Sequence, residues 1–195
     1  MMKCLLSFLL LPAFLLSSGQ DSCFMRAGLE PLEITRNIDS LHLIMKAYND
    51  AFNGCKAPNF SCNGIDGAHL NNNKLKGKVT VLNFWFTHCK PCVAEFASLN
   101  KLVETYHDKD VEFISFAMDK KAVLDTFLTT HPLQYAVVPG ATSVMDTFKI
   151  SSYPTNMILD KDWRVVQIIT GGGGDDDKLK NYNRIKAFID AALSR

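Results

Sequence analysis

An almost uninterrupted apolar run over residues 79–86 leads into the tetrapeptide Cys89-Lys90-Pro91-Cys92, and at that junction the hydrophobic period changes. The run is β-branched and aromatic, so it predicts a strand buried on both faces in the middle of a sheet. Beyond the cysteines, Val93, Phe96, Leu99, Val103 and Tyr106 recur at helical spacing, with Glu95, Lys101 and Glu104 between them. That pattern predicts an amphipathic helix. Pro91 suits its first turn, where a missing N–H removes no intrahelical bond. Cys89 is therefore expected at or just before the helix start.

A helix N-terminus presents unpaired N–H groups and the positive end of the dipole, and both favour a thiolate over a thiol at Cys89. Lys90 adds a cation beside it. Cys92, one turn further in, is within reach of a disulfide with Cys89 but shielded, so the pair reads as an exposed attacker and a buried resolver. In thiol-disulfide exchange the Cys89 thiolate attacks a partner's disulfide, and Cys92 then attacks the mixed disulfide to release a reduced product. A proton must move at Cys92, and Glu95, one turn along the same helix, is the candidate group. No cofactor is needed beyond the redox-active Cys89–Cys92 disulfide itself.

Other uses of a CxxC fit less well. A zinc site needs two further ligands, and Cys55 and Cys62 are spaced too widely for the usual pair. Haem attachment requires His after the second cysteine, and Val93 stands there. A purely structural disulfide is the third alternative. Two functional alternatives also remain. A thiol peroxidase on the same fold usually carries Thr three residues before its reactive cysteine and Pro four before that, positions occupied here by Phe86 and Leu82. A copper(I) metallochaperone would use Cys89, Cys92 and His88.

The matching residues are Ala57-Pro58-Asn59-Phe60 followed by Asp66-Gly67, then Gly77-Lys78, Leu82-Asn83-Phe84-Trp85, the CxxC, Glu95, and Tyr153-Pro154-Thr155. In these the stretch from Ala57 to Leu193 resembles the exported bacterial thioredoxin-like proteins of the TlpA and ResA type. The resemblance implies a thioredoxin-like α/β fold: a central mixed sheet flanked by helices, an inserted strand and helix, and an N-terminal β-hairpin. It implies that Pro154 is a cis-proline facing the CxxC, with Tyr153 offering backbone hydrogen bonds to a partner chain and Trp85 beside them as a substrate-binding residue. It also implies that Glu95 is the family's glutamate, with His88, Lys90 and Pro91 modulating the pair. Reduction of disulfide-bearing protein substrates, with electrons from a membrane protein, is the activity it suggests. Phe86 and His88 depart from the small residue and Trp that the family often has there, which bears on substrate choice and redox poise.

Residues 1–19 read as a secretory signal peptide: Lys3, an apolar core over 5–16, then Ser17-Ser18-Gly19. A retained N-terminal anchor is the alternative. Export to the periplasm or beyond follows. Removing Lys3 from the 21 basic residues leaves as many as the 20 acidic ones, a balance that offers nothing to nucleic acid. Cys4 leaves with the signal. Five cysteines then remain, so at least one is unpaired within the chain, and Cys55 with Cys62, or Cys23 with either, are all open pairings.

Residues 20–53 form an N-terminal extension whose apolar stripe, Ile38, Leu41, Ile44, Met45, Tyr48 and Phe52, predicts a helix over 38–52 with Asn37 as its cap. Residues 54–195 form the thioredoxin-like domain. Within it we expect a hairpin over 60–70, a surface loop at Asn71 to Lys74, and a buried strand over 111–118. A helix over 120–130, a strand over 133–138 and a short helix over 144–148 follow. A hairpin of 155–159 with 163–169 and a last helix over 178–193 complete the domain. Alternating strands and helices imply parallel strands joined by crossovers. Gly171 to Asp177 reads as a solvated acidic turn, better suited to a weak calcium site than to phosphate. Asn83 stands where cytosolic thioredoxins have a buried aspartate, and an amide cannot titrate, so Glu95 inherits that role. His88 either stabilises the neighbouring thiolate or is a plain surface residue. His42, His69, His107 and His131 lack ligand spacing.

Overall fold

The computed structural model describes Cys23, residues 38–171 and residues 178–195. The signal segment, the Asn37 cap and the Gly-Asp turn lie outside the described residues, Gly171 apart.

Helix α1 spans Ile38–Asp50. Strands β1 (Ser61–Asn63) and β2 (His69–Asn71) form the antiparallel N-terminal hairpin. The central strand β3 is Val79–Trp85, and all seven of its residues are buried. Two helices follow it, α2 (Lys90–Ala94) and α3 (Phe96–Thr105). The chain continues through β4 (Val111–Ala117), α4 (Lys121–Thr130), β5 (Ala136–Val138) and α5 (Thr142–Thr147). It ends with β6 (Thr155–Leu159), β7 (Val165–Thr170) and α6 (Lys178–Leu193). The five-stranded sheet runs β5-β4-β3-β6-β7. Strands β3, β4 and β5 are parallel, as crossovers demand, while β6 and β7 pair antiparallel on the other side. This mixed sheet flanked by helices is the thioredoxin-like fold.

Because side chains alternate along a strand, β3 feeds two cores. Val79, Val81 and Trp85 pack with Leu99, Leu102, Ile185 and Ile189 on the side of α3 and α6. Leu82 and Phe84 pack with Phe116, Phe148 and Met157 on the other. The second core reaches Phe52 and Cys55, which ties the extension to the domain. Asn49 Nδ2 also donates to Thr170 Oγ1 on β7 at 3.1 Å.

Three expectations are corrected. Asn72–Leu75 is a 3-10 helix rather than a loop, because the Asn71 side chain caps it through the Lys74 N–H and Leu75 is drawn into the core. The strand expected from Leu133 begins only at Ala136, since the Gln134 N–H is taken by Asn100 Oδ1 of α3 at 2.8 Å instead of by the sheet. Helix α1 stops short of Phe52, which sits in a tight turn ending at Gly54, whose φ of +81° suits glycine. Of the open pairings, Cys23–Cys55 is the one formed; Cys62 is free and half-buried.

Candidate active site

The cysteine pair lies past the C-terminal end of β3, where open α/β sheets place their ligands. The chain turns there: the Cys89 N–H donates to Phe86 O at 3.1 Å, and Thr87 and His88 form the tip of that turn. Cys89 is the N-cap of α2, with Pro91 in the first turn. Its Sγ accepts the Cys92 N–H at 3.3 Å, so a backbone donor already points at the sulfur that would carry negative charge. Cys89 and Cys92 form a disulfide, with Cα atoms 5.2 Å apart. Cys89, expected to be exposed, is corrected: it keeps only 6% of its surface because its turn packs into the core shared with Trp85 and Phe96, and Cys92 keeps none. His88, Lys90 and Pro91 are exposed around them.

The helix expected from Pro91 to Tyr106 is interrupted at Glu95. Its N–H reaches back to Cys92 O at 3.3 Å, and its side chain turns inward to 4% exposure. A buried carboxylate without partners would be untenable. Three amides supply them: Asn83 Nδ2 of β3 donates to Oε1 at 2.9 Å, Asn156 Nδ2 of β6 lies 3.2 Å from both oxygens, and Asn181 Nδ2 of α6 donates to Oε2 at 2.5 Å. Burial pushes the Glu95 carboxyl up to about 7, against the pull of the Asn156, Asn181 and Asn83 hydrogen bonds. The Tyr135 hydroxyl, fully buried and raised by that burial, also feels the Glu95 charge.

On the facing loop the Tyr153–Pro154 peptide is cis. Pro154 is buried and Tyr153 half-buried, and the Tyr153 ring meets Phe86 edge to face with centroids 5.4 Å apart. This contact joins the proline loop to the cysteine turn. Among the described residues, nothing bonds the backbone N–H or C=O of Tyr153.

Trp85, expected at the substrate surface, is corrected. It is wholly buried, its Nε1 donates to Ser115 Oγ, and its ring stacks edge to face on Phe96. The physical reason is its place in β3, which both cores cover. Trp85 supports the floor of the site without touching a partner.

Sequence reasoning missed Asn156, Asn181 and Asp119. The first interrupts the apolar strand β6, a signal that was available; Asn181 on the last helix carried none. Asp119 follows the C-terminal end of β4, and its carboxylate accepts the Thr87 N–H at 2.7 Å and the Thr87 hydroxyl at 3.0 Å.

The sequence profile of the AhpC/TSA family matches residues 53–168. Over 120 residues the chain is 35% identical to the thiol-disulfide oxidoreductase ResA of Bacillus cereus (strain ZK / E33L), covering 60% of this chain and 69% of the relative. With ResA of Bacillus subtilis (strain 168) the identity is 29% over 120 residues, 60% of this chain and 67% of that one. A solved thiol:disulfide interchange protein of the thioredoxin family from Chlorobium tepidum superposes with a TM-score of 0.60 at 23% identity, covering 71% of this chain and 95% of that chain.

Proposed function

We infer that this chain, which belongs to the AhpC/TSA family as a thiol-disulfide oxidoreductase of the ResA and TlpA type, reduces disulfides in partner proteins through Cys89 and Cys92. The observation that carries the assignment of roles is the place of Cys89 as the N-cap of α2, with the Cys92 N–H aimed at its Sγ, while Cys92 is wholly buried. In the reduced enzyme the Cys89 thiolate attacks one sulfur of the client disulfide. A Cys89–client mixed disulfide forms, and the client's other sulfur leaves as a thiolate and takes up a proton. Cys92 then gives its proton to the Glu95 carboxylate, and its thiolate attacks Cys89 Sγ. The Cys89–Cys92 disulfide closes and the client's second sulfur departs, protonated in turn. The client gains two electrons and two protons: the enzyme pair supplies both electrons and the Cys92 proton, relayed by Glu95, and the other proton comes from solvent.

The unbonded N–H and C=O of Tyr153 beside the cis-proline supply an edge on which an extended client segment would pair. His88, Lys90 and Pro91 would then modulate the encounter from the exposed rim. A signal segment at residues 1–19 and the Cys23–Cys55 disulfide both suit an oxidising, exported setting, with electrons returned by a membrane donor. Among the described residues no helix is long and apolar enough to cross a membrane. In this reading residues 54–195 are the catalytic domain and 20–53 an extension whose helix α1 packs on β7.

Cys92→Ser tests the roles, since it leaves the mixed disulfide with no resolver. We expect covalent enzyme–client adducts on non-reducing gels, released by added dithiol, and no such adducts from Cys89→Ser. Adducts from Cys89→Ser alone would reverse the assignment. Direction is read from the reduction potential of the pair, measured with Cys23, Cys55 and Cys62 replaced by Ser. A reductase is expected near about −270 mV, and a value near about −120 mV would make the protein an oxidant of its clients.

A further inference from the structure

Strand β7 closes one side of the sheet, and helix α1 packs on it through side-chain ties. Asn49 Nδ2 donates to Thr170 Oγ1 at 3.1 Å, and Gln167 Nε2 donates to Asp50 Oδ1 at 3.0 Å. Alongside these ties the surface sinks into a groove of about 580 Å³. That volume falls within the range, about 300–1,000 Å³, of clefts that enclose a bound molecule. Helix α1 gives the groove Met45, β7 gives it Ile168, α6 gives it Arg184 and Phe188, and Tyr153 and Gly171 line it as well.

Position and charge say what the groove takes. The Gly171 N–H donates to Pro154 O at 2.9 Å, so the groove runs up to the cis-proline, and Tyr153, whose backbone N–H and C=O are unbonded, forms part of its wall. A strand paired on Tyr153 therefore continues into the groove. Along α6, Arg184 and Phe188 follow Asn181 at spacings of about one turn, and Asn181 holds Glu95 beneath Cys92. Asp50 is already taken by Lys46 and Gln167. Arg184 is exposed, and among the described residues no carboxylate pairs with it. The groove thus offers apolar surface, from Met45, Ile168 and Phe188, and one uncompensated cation.

We propose that this groove receives the client segment next to the attacked disulfide, and that it selects segments carrying apolar side chains and a carboxylate. This rests on the reading of the chain as a reductase of protein disulfides whose clients pair with Tyr153. Helix α1 lies outside residues 53–168, the part that matches the family profile. The domain shared with the family supplies the exchange chemistry, and the extension supplies a wall that chooses among clients. Met45 and Arg184 act on the binding of the client and not on the exchange itself.

Two disulfide-bonded peptides test this, alike except that leucine and glutamate flank the cysteine in one and leucine and lysine in the other. Both are read against a small aromatic disulfide too short to reach the groove. Wild type is expected to reduce the glutamate peptide with a kcat/KM about fivefold above that of the lysine peptide, the scale of one exposed ion pair, and to lose the preference in high salt. Arg184→Glu should invert the order, and Arg184→Gln should abolish it. In the mixed disulfide trapped by Cys92→Ser, the Met45 methyl resonance should move when the glutamate peptide is the client. Equal rates on the two peptides, an order that Arg184→Glu leaves in place, or a Met45 signal that does not move each overturns the proposal. Reduction of the small disulfide in those cases leaves the exchange chemistry standing, whereas a wild type that reduces none of the three overturns both readings.

Discussion

Cys89→Ser abolishes reduction of a disulfide-bonded client, with a loss of more than about a thousandfold. A serine hydroxyl does not ionise near neutral pH, even with the Cys92 N–H and the start of α2 beside it. It also has no sulfur with which to form the mixed disulfide. The change is small in volume, at a position that is 6% exposed at the edge of the core with Trp85 and Phe96, so thermal unfolding of the variant, compared with reduced wild type, should show a shift of no more than a few degrees. Turnover of a client disulfide with dithiol as electron source, read beside that melting curve, separates loss of chemistry from loss of fold. Retained turnover would move the chemistry to another sulfur, either Cys92, freed by the change, or the half-buried Cys62 on β1.

Glu95→Gln is the second large effect, expected to slow resolution of the mixed disulfide by about a hundredfold while the first attack proceeds. The carboxyl titrates at about 7, so in wild type the resolving step should rise roughly tenfold between about pH 6 and about pH 8 as Glu95 gains the capacity to take the Cys92 proton. In Glu95→Gln that rise disappears. Single-turnover release of client from a preformed mixed disulfide measures it, and an unchanged pH profile removes Glu95 from the mechanism.

The same group sets a stability trend. Between about pH 4.5 and about pH 7 the folded carboxyl holds a proton that the unfolded chain has released. Stability therefore falls as pH rises through that window, by an amount on the order of 3 kcal/mol, and the loss is complete above it. Glu95→Gln carries no such dependence, so denaturant titrations at pH 5 and pH 8 distinguish the two proteins. Burying an ionisable group at such expense is what a proton carrier requires, since a carboxyl that remains ionised at every working pH cannot hand a proton on.

Much of this was legible in the residues because the signals are local. The strand-to-helix junction was readable from the change of hydrophobic period at Cys89, and the edges of β3 and α6 fell within one residue of expectation. Where the reading slipped, a distant partner intervened. Asn100 took the Gln134 N–H and shortened β5, and the pull of Leu75 into the core wound the Asn72 segment into a 3-10 turn. Trp85 was misplaced for another reason. Its own run signalled burial on both faces, yet resemblance to a surface role outweighed that signal.

The CxxC and its seat at the head of a helix are determined by sequence alone, because three residues of spacing and one proline dictate them within a single turn; the burial of Cys89 was decided by the core that closes over it. The environment that gives Glu95 its proton affinity was decided only by the tertiary structure. Asn83, Asn156 and Asn181 lie 12, 61 and 86 residues from it along the chain, on three different elements. Asp119 reaches Thr87 across 32. Polar groups that converge on a buried charge obey no period. They are gathered by the need to satisfy one carboxylate in a dry core, and that need exists only once the core has closed.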